Sequence, residues 1–378
     1  MIVEIWSSIM HRYSLAIIVF LCCQLVSNHV RAEFGDQIYQ FLPTGTDPER
    51  IPIDVMEFGG KVSVTDSFVV VGDETDGFFG EAAGAAWVYD IATGEVLRNL
   101  DPSDIAEGDG FAESLAATGN LAVVGADEKD SDRGAAYVFN METGEELFKL
   151  EPFDEGPVEF GQSAGIGNGL IVIGAEATEN GRGAAYVYDL TTGEGLRSFS
   201  ADDEGLQEFA DAMAVSGDVA IVGSDDTQIV YLFDITTGEL QHRIRLDGSG
   251  AFGASVAIDG NLAVIGDPDL DEEKGAAYIY DVATGEQLHM LSIPDAAEED
   301  KFGDTVAVEG TTVMIAATGE NSGAGSVYVF DSVTGIQIAR LELEDAQPNE
   351  EFGSAIDIHN NLAGIGALSD LVDIDGVV

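Results

Sequence analysis

A chain of 378 residues with 45% hydrophobic side chains can bury a large core, which excludes disorder throughout and fits two ordinary domains or one repetitive β domain. Against 70 Asp and Glu stand only 15 Lys and Arg, a formal net charge of -55, and that field repels phosphate backbones and anionic membrane surfaces. Nucleic acid is therefore excluded as a partner, while cations, basic protein patches or a saline medium remain.

At the N-terminus, His11 and Arg12 precede an apolar run from Tyr13 to Val26, short for a membrane span and right for the core of an export signal. Val30-Arg31-Ala32 supplies small residues at the cleavage positions, so residues 1–32 read as a signal peptide and the mature chain as starting at Glu33. Translation starting at Met10 fits equally, and an uncleaved anchor is the rival reading. Both cysteines, Cys22 and Cys23, lie inside the run with no small residue just before them, so no disulfide and no lipid is expected in the mature protein. Export implies a secreted or surface protein with no membrane insertion after cleavage.

From Gly84 onward one phrase recurs in six copies, among them "GAAYVFNMETGEELFKL" at Gly134 and "GAAYIYDVATGEQLHML" at Gly275. Their threonines, Thr93, Thr143, Thr192, Thr237, Thr284 and Thr334, are spaced 50, 49, 45, 47 and 50 residues apart. A second anchor alternates with the first at Phe58, Phe111, Phe160, Phe209, Phe252, Phe302 and Phe352, each followed by Gly or Ala, which makes seven units. Within a unit, "FGASVAI" and "NLAVIG" flank Asp259-Gly260, a tight hairpin turn in which glycine supplies the positive φ. A variable acidic loop follows, then "GAAYIYD", a Thr-Gly turn and a last strand. Four antiparallel strands per unit, repeated seven times, predict an all-β chain, a seven-bladed β-propeller over residues 33–378. The seventh unit stops short of its Thr-Gly turn, so residues 37–42 are expected to complete its outer strand and Ile374 to Val378 its third.

The alternation of "FGASVAIDGNLAVIG" with "GAAYIYDVATGEQL" resembles the FG-GAP repeat family, propeller units seen in integrin α-subunit heads and in many secreted bacterial proteins. The resemblance spans nearly all of residues 37–378 and implies fold more firmly than function. It brings in calcium as the candidate cofactor, because family members carry Asp-rich loops between the first two strands of a blade. Here that joint is a two- or three-residue turn such as Asp259-Gly260, and the acids come one connection later. Asp267, Asp269 and Asp271 form the best candidate metal loop, followed by Asp373 and Asp375 in an Asp-x-Asp-Gly core.

The phrase "YDVATGEQL" is also similar to the docking motif of quinoprotein dehydrogenase propellers, which places a tryptophan four residues beyond the glycine. Arg98, Phe148, Arg197, His242, His289 and Ala339 hold those positions here, so the blade-locking stack and the quinone cofactor are not expected. Gly161-Gln162-Ser163-Ala164-Gly165 matches a nucleophile elbow, yet it falls on a first strand, and His242, His289 and His359 lie in different units, so no base is positioned for Ser163. Tyr278 and Tyr280 read as packing between blades, and Asp281 with Thr284-Gly285 as a capped turn.

The sequence thus points to a monomeric, secreted, acidic propeller that binds an extracellular protein or glycan or serves as a scaffold, and not to an enzyme. Acids or histidines converging on the central channel from several blades would favour a propeller enzyme instead. A structural surface or matrix role is the third reading.

Overall fold

The computed structural model describes residues 16–21, 38–41 and 58–368, apart from 155–156, 179–182, 202–208, 225–227, 249 and 344–345. The chain is an all-β propeller of four-stranded antiparallel blades. Six such blades are each formed from one continuous stretch, with first strands at Lys61–Val64, Phe111–Thr118, Pro157–Gly167, Met213–Ser216, Val256–Asp259 and Phe302–Glu309.

The fifth unit shows how the repeat dictates a blade. Val256–Asp259 pairs with Leu262–Asp267, which pairs with Ala276–Asp281, which pairs with Gln287–Leu291. The last hairpin turns on Asp281, whose Oδ1 accepts both the Thr284 N–H and hydroxyl at 2.8 Å, while Thr284 Oγ1 takes the Glu286 N–H and Gly285 adopts φ 69°. The same turn recurs at Asp90, Asp189, Asp234 and Asp331. Its sequence signature is therefore local backbone capping.

The core lies between blades. Phe252, Tyr278 and Tyr280 of the fifth unit pack with Ile221, Val230 and Leu232 of the fourth, and the Phe252 ring stands edge-on to Tyr278 at 5.6 Å. Each fully buried aromatic ring contributes about 2–3 kcal/mol of apolar burial, so the two tyrosines hold neighbours together, as their alternation with Ala277 and Ile279 predicts.

The glycines of the two anchors are contact points between blades. A Cβ on Gly266 would lie 2.0 Å from the Gly303 carbonyl oxygen of the next unit, and one on Gly275 would lie 2.1 Å from that of Phe302. Gly275 and Phe302 form a parallel β-bridge there, as do Gly134 and Phe160. Ser255 Oγ donates to the Gly303 carbonyl at 2.7 Å, and Ser114 makes the equivalent bond to Gly161 at 2.6 Å.

The seventh sheet is mixed and drawn from both ends of the described chain. Ile356–His359 pairs antiparallel with Leu362–Ala367; Ala16–Leu21 lies parallel to Leu362–Ala367, and Ile38–Phe41 lies parallel outside it. The third position, expected for Ile374 to Val378, is therefore held by Ala16–Leu21, part of the run read as the signal core; residues 374–378 lie outside the described residues. A run of apolar, partly β-branched residues satisfies a strand slot as readily as a signal core. Phe58, Val62 and Trp87 of the first unit pack with Ala355 and Leu362 of the last, and a Cβ on Gly366 would lie 2.0 Å from the Gly59 carbonyl oxygen.

Candidate functional site

The first strand of each blade is paired on one side only, and its other edge faces the propeller axis. There a cavity of about 300 Å³ is lined by residues of Lys61–Val64 and Ile356–His359 and of every first strand between them. Ala116, Gly165, Ala214, Ala257 and Ala307 occupy one register position on five of these strands; Ser63 and Asp357 occupy it on the other two. Asp357 Oδ2 accepts the Val64 N–H at 2.6 Å and the Ser63 hydroxyl at 3.2 Å, and Oδ1 accepts the Ile358 N–H at 2.8 Å. Ser63 Oγ in turn accepts the Ala117 N–H at 3.1 Å. Burial raises the Asp357 pKa above the usual carboxylate value, against the pull of these donors.

At one mouth, the two-residue turns are linked in succession. Gly310 N–H donates to Asp259 at 2.7 Å, Asn360 N–H to Glu309 at 2.7 Å, and His359 Nε2 lies 2.9 Å from Asp66 Oδ1. These acids are committed to neighbouring backbone and side-chain groups. The opposite mouth carries the residues that follow the Phe-Gly anchors. Lys61 Nζ meets Glu113 at 3.2 Å, Gln162 donates to Asp211 at 3.3 Å, and Thr318 donates to Asp304. A second cavity of about 250 Å³ is lined there by Lys61, Glu74, Asp304 and Glu351. Burial pulls the Lys61 pKa down, but Glu113, Glu74 and Asp211 more than reverse this, and the net shift is upward. Close by, burial and then the Glu113 charge push Asp127 up to about 7.

Acids thus approach the channel from several blades, from a position the sequence reading passed over. Comparing the residue after each Phe-Gly pair (Glu113, Gln162, Asp211, Asp304) would have exposed them, because a strand core rarely carries charge there without a partner.

The expected metal loop is organised differently. Asp267 is fully buried at the end of its strand, and its Oδ1 accepts the Gly250 and Ala251 N–H groups at 3.0 and 2.8 Å. Burial raises its pKa. Asp271 pairs with Lys274 at 2.8 Å, and Asp269 packs against Gly250. Among the described residues no three His, Cys, Asp or Glu side chains come together as metal ligands. Asp373 and Asp375 lie outside the described residues. Ser163 donates to the Ala210 carbonyl at 2.6 Å, the same interblade bond that Ser114 and Ser255 make, so it is a structural hydroxyl on the strand Pro157–Gly167.

The blade-locking stack that was not expected is present with other residues. A Cβ on Gly193 would meet the Phe148 ring at 2.8 Å, one on Gly285 would meet His242 at 3.0 Å, and one on Gly335 would meet His289 at 2.9 Å. His242 and His289 also hydrogen-bond the Ala283 and Val333 carbonyls, and Arg197 donates to that of Ile235. Each side chain thus lies on the Thr-Gly turn of the following blade. Tryptophan is one way to cover that glycine, and a planar or extended polar side chain is another.

On the loop side, Phe78 and Phe79 are 36% and 38% exposed and stand edge-on at 5.0 Å. Their loop is fixed by Asp76, which is buried and accepts the Phe78 N–H at 2.9 Å.

Comparison with known families fits this architecture. The FG-GAP repeat model matches residues 97–139, and the model described as outer membrane protein assembly factor BamB matches residues 132–346, more than half of the chain. No curated protein matches it. The chain is an FG-GAP-type β-propeller and belongs to the family described as outer membrane protein assembly factor BamB.

Proposed function

We propose that this chain is an exported binding or scaffold module: a ring of seven blades whose loop side meets a protein partner through Phe78 and Phe79. The observation that carries the reading is that aromatic pair. Two large rings, each a little over a third exposed on an anchored loop, form the kind of apolar anchor that dominates protein interfaces. The surrounding acids favour a partner with a basic rim. The family description, an assembly factor for outer membrane proteins, agrees with a role in holding other proteins.

The count of seven is supported by the cycle of contacts among first strands, in which Ile356–His359 touches both Phe302–Glu309 and Lys61–Val64. Ile38–Phe41 takes the outer position of the seventh sheet by pairing with Ala16–Leu21, so closure in this form belongs to a chain that keeps its N-terminal run. Export is supported by the apolar run from Tyr13 to Val26 with its small residues downstream.

The test places a photo-crosslinking residue at Phe78 or, on the opposite side, at Glu142, in protein expressed in its own cell. Partner adducts at position 78 that disappear in the Phe79→Ser variant are expected; equal adducts at both positions would sink the reading. A second reading, a propeller enzyme, draws on Asp127, whose pKa burial and then the Glu113 charge push up to about 7. Turnover abolished by Asp127→Asn would favour it over binding alone.

A further inference from the structure

The channel carries a chemistry of its own, independent of the loop side. Each first hairpin closes on a two-residue turn, with final pairs such as Gly167 with Leu170, Ser216 with Val219 and Glu309 with Thr312. In such a hairpin the closing pair turns its N–H and C=O groups toward each other, as the Thr65 N–H to Phe68 carbonyl bond shows. The preceding residue then directs both its N–H and its C=O to the free edge, which here is the channel. That residue is Val64, Ala117, Ile166, Val215, Ile258, Val308 or Ile358, one per unit.

Three of these seven N–H groups have side-chain acceptors: Val64 and Ile358 donate to Asp357, and Ala117 donates to Ser63. Apart from Ser63, the residues at the Asp357 register on the other strands are Ala and Gly, which cannot accept. Seven carbonyls and one carboxylate therefore face four uncommitted amides, so the layer is rich in acceptors. Asp357 accepts three donors and has capacity for a fourth. The walls around it are methyl groups and bare backbone, and the chain's charge of -55 raises the local concentration of any cation.

We propose that the central channel binds a linear aliphatic polyamine, with one ammonium on Asp357 and the channel carbonyls. An ammonium group offers three donors and no acceptor, the complement of this layer. Its methylene spacers suit the Ala and Gly walls. Calcium needs six to eight oxygens converging at about 2.3–2.6 Å, whereas these carbonyls are set one per blade around a cavity of about 300 Å³. At the far mouth Glu113 is paired with Lys61, while Asp211 and Asp304, which accept from the neutral Gln162 and Thr318, add negative charge for further ammonium groups. This ligand and the loop-side partner stand or fall separately.

The test is calorimetric titration of the full chain with spermidine, compared with calcium chloride and sodium chloride at equal ionic strength. One saturable site for spermidine is expected, weakened about tenfold or more in Asp357→Asn by loss of one charged hydrogen bond. Ala257→Leu, which narrows the channel and leaves Asp357 untouched, should weaken it likewise and covers the case in which Asp357→Asn fails to fold. Asp295→Asn, an exposed loop change, should leave it unchanged. Heat that never saturates, or equal affinity in Ala257→Leu and the parent, would overturn the proposal in favour of ions condensed on the acidic surface.

Discussion

Asp357 Oδ2 accepts the Val64 N–H at 2.6 Å, joining residues 293 positions apart in the chain. The bond crosses from the last first-strand to the earliest one, beside the contact of Gly366 with Gly59. Replacing Asp357 with Ala strands the Val64 and Ile358 N–H groups and the Ser63 hydroxyl. Stability should fall by about 1–3 kcal/mol, the penalty for buried donors left unmade, and Asp357→Asn should lose less because its amide oxygen still accepts. Urea unfolding measures both; equal losses would show that shape, and not acceptance, holds this seam.

Gly366→Ala tests the same seam sterically. Its Cβ would lie 2.0 Å from the Gly59 carbonyl oxygen, and two backbones must separate to admit it. A loss of about 3 kcal/mol is expected, at the upper end for overpacking. Gly77→Ala, where the nearest atom is 3.7 Å away, should change stability by less than about 0.5 kcal/mol. Similar melting temperatures for the two variants would refute the close approach.

Asp127 makes stability depend on pH. Its folded pKa of about 7 lies above the ordinary 3.8, so between those values the folded state keeps a proton that the unfolded state has released. The group's stabilising contribution is complete at about pH 4 and is lost as pH rises through 7. Asp127→Asn should match the parent at pH 4 and exceed it at pH 8 by about 1 kcal/mol, a figure reduced for partial solvent screening. Melting temperatures of the pair across that range give the answer; parallel curves would contradict it.

The interblade stack predicts a rescue. Phe148→Ala uncovers Gly193 and should lower stability by about 2 kcal/mol, less than for a fully buried ring. Phe148→Trp should restore it, because a wider ring covers the same turn. If Trp destabilises as much as Ala, the ring fills a specific hole instead of lying on the turn.

Much of the molecule is legible in the repeats. The Thr-Gly turn, the paired tyrosines and the two-residue hairpins are each decided within a few residues, by capping hydrogen bonds and by alternation along a strand. The Phe-Gly and Gly-Ala anchors read only as punctuation until packing shows why a side chain cannot fit, since Gly266 and Gly303 belong to different blades. The stack was missed for a related reason: Arg98, Phe148 and His242 share no chemistry, only the shape of the glycine each covers.

The unit, its strand order, its turns and the propeller class can be read along the chain, because these rest on contacts between near neighbours and on a pattern repeated often enough to be unmistakable. Which side chains meet across blades is settled only when the blades pack together. Asp267, Asp269 and Asp271 look like a metal loop in sequence, yet one is buried against amides, one packs on Gly250 and one pairs with Lys274. Likewise Asp130–Asp132, Asp271–Glu273 and Asn321–Gly323 have no residue common to all three, yet all turn left-handed at positive φ, each non-glycine residue at a cost of about 1 kcal/mol. Ser63 and Asp357, far apart in the chain, become neighbours on the channel wall. Such pairings depend on how the blades are arranged around the axis, and the spacing of residues along a strand carries no record of that arrangement.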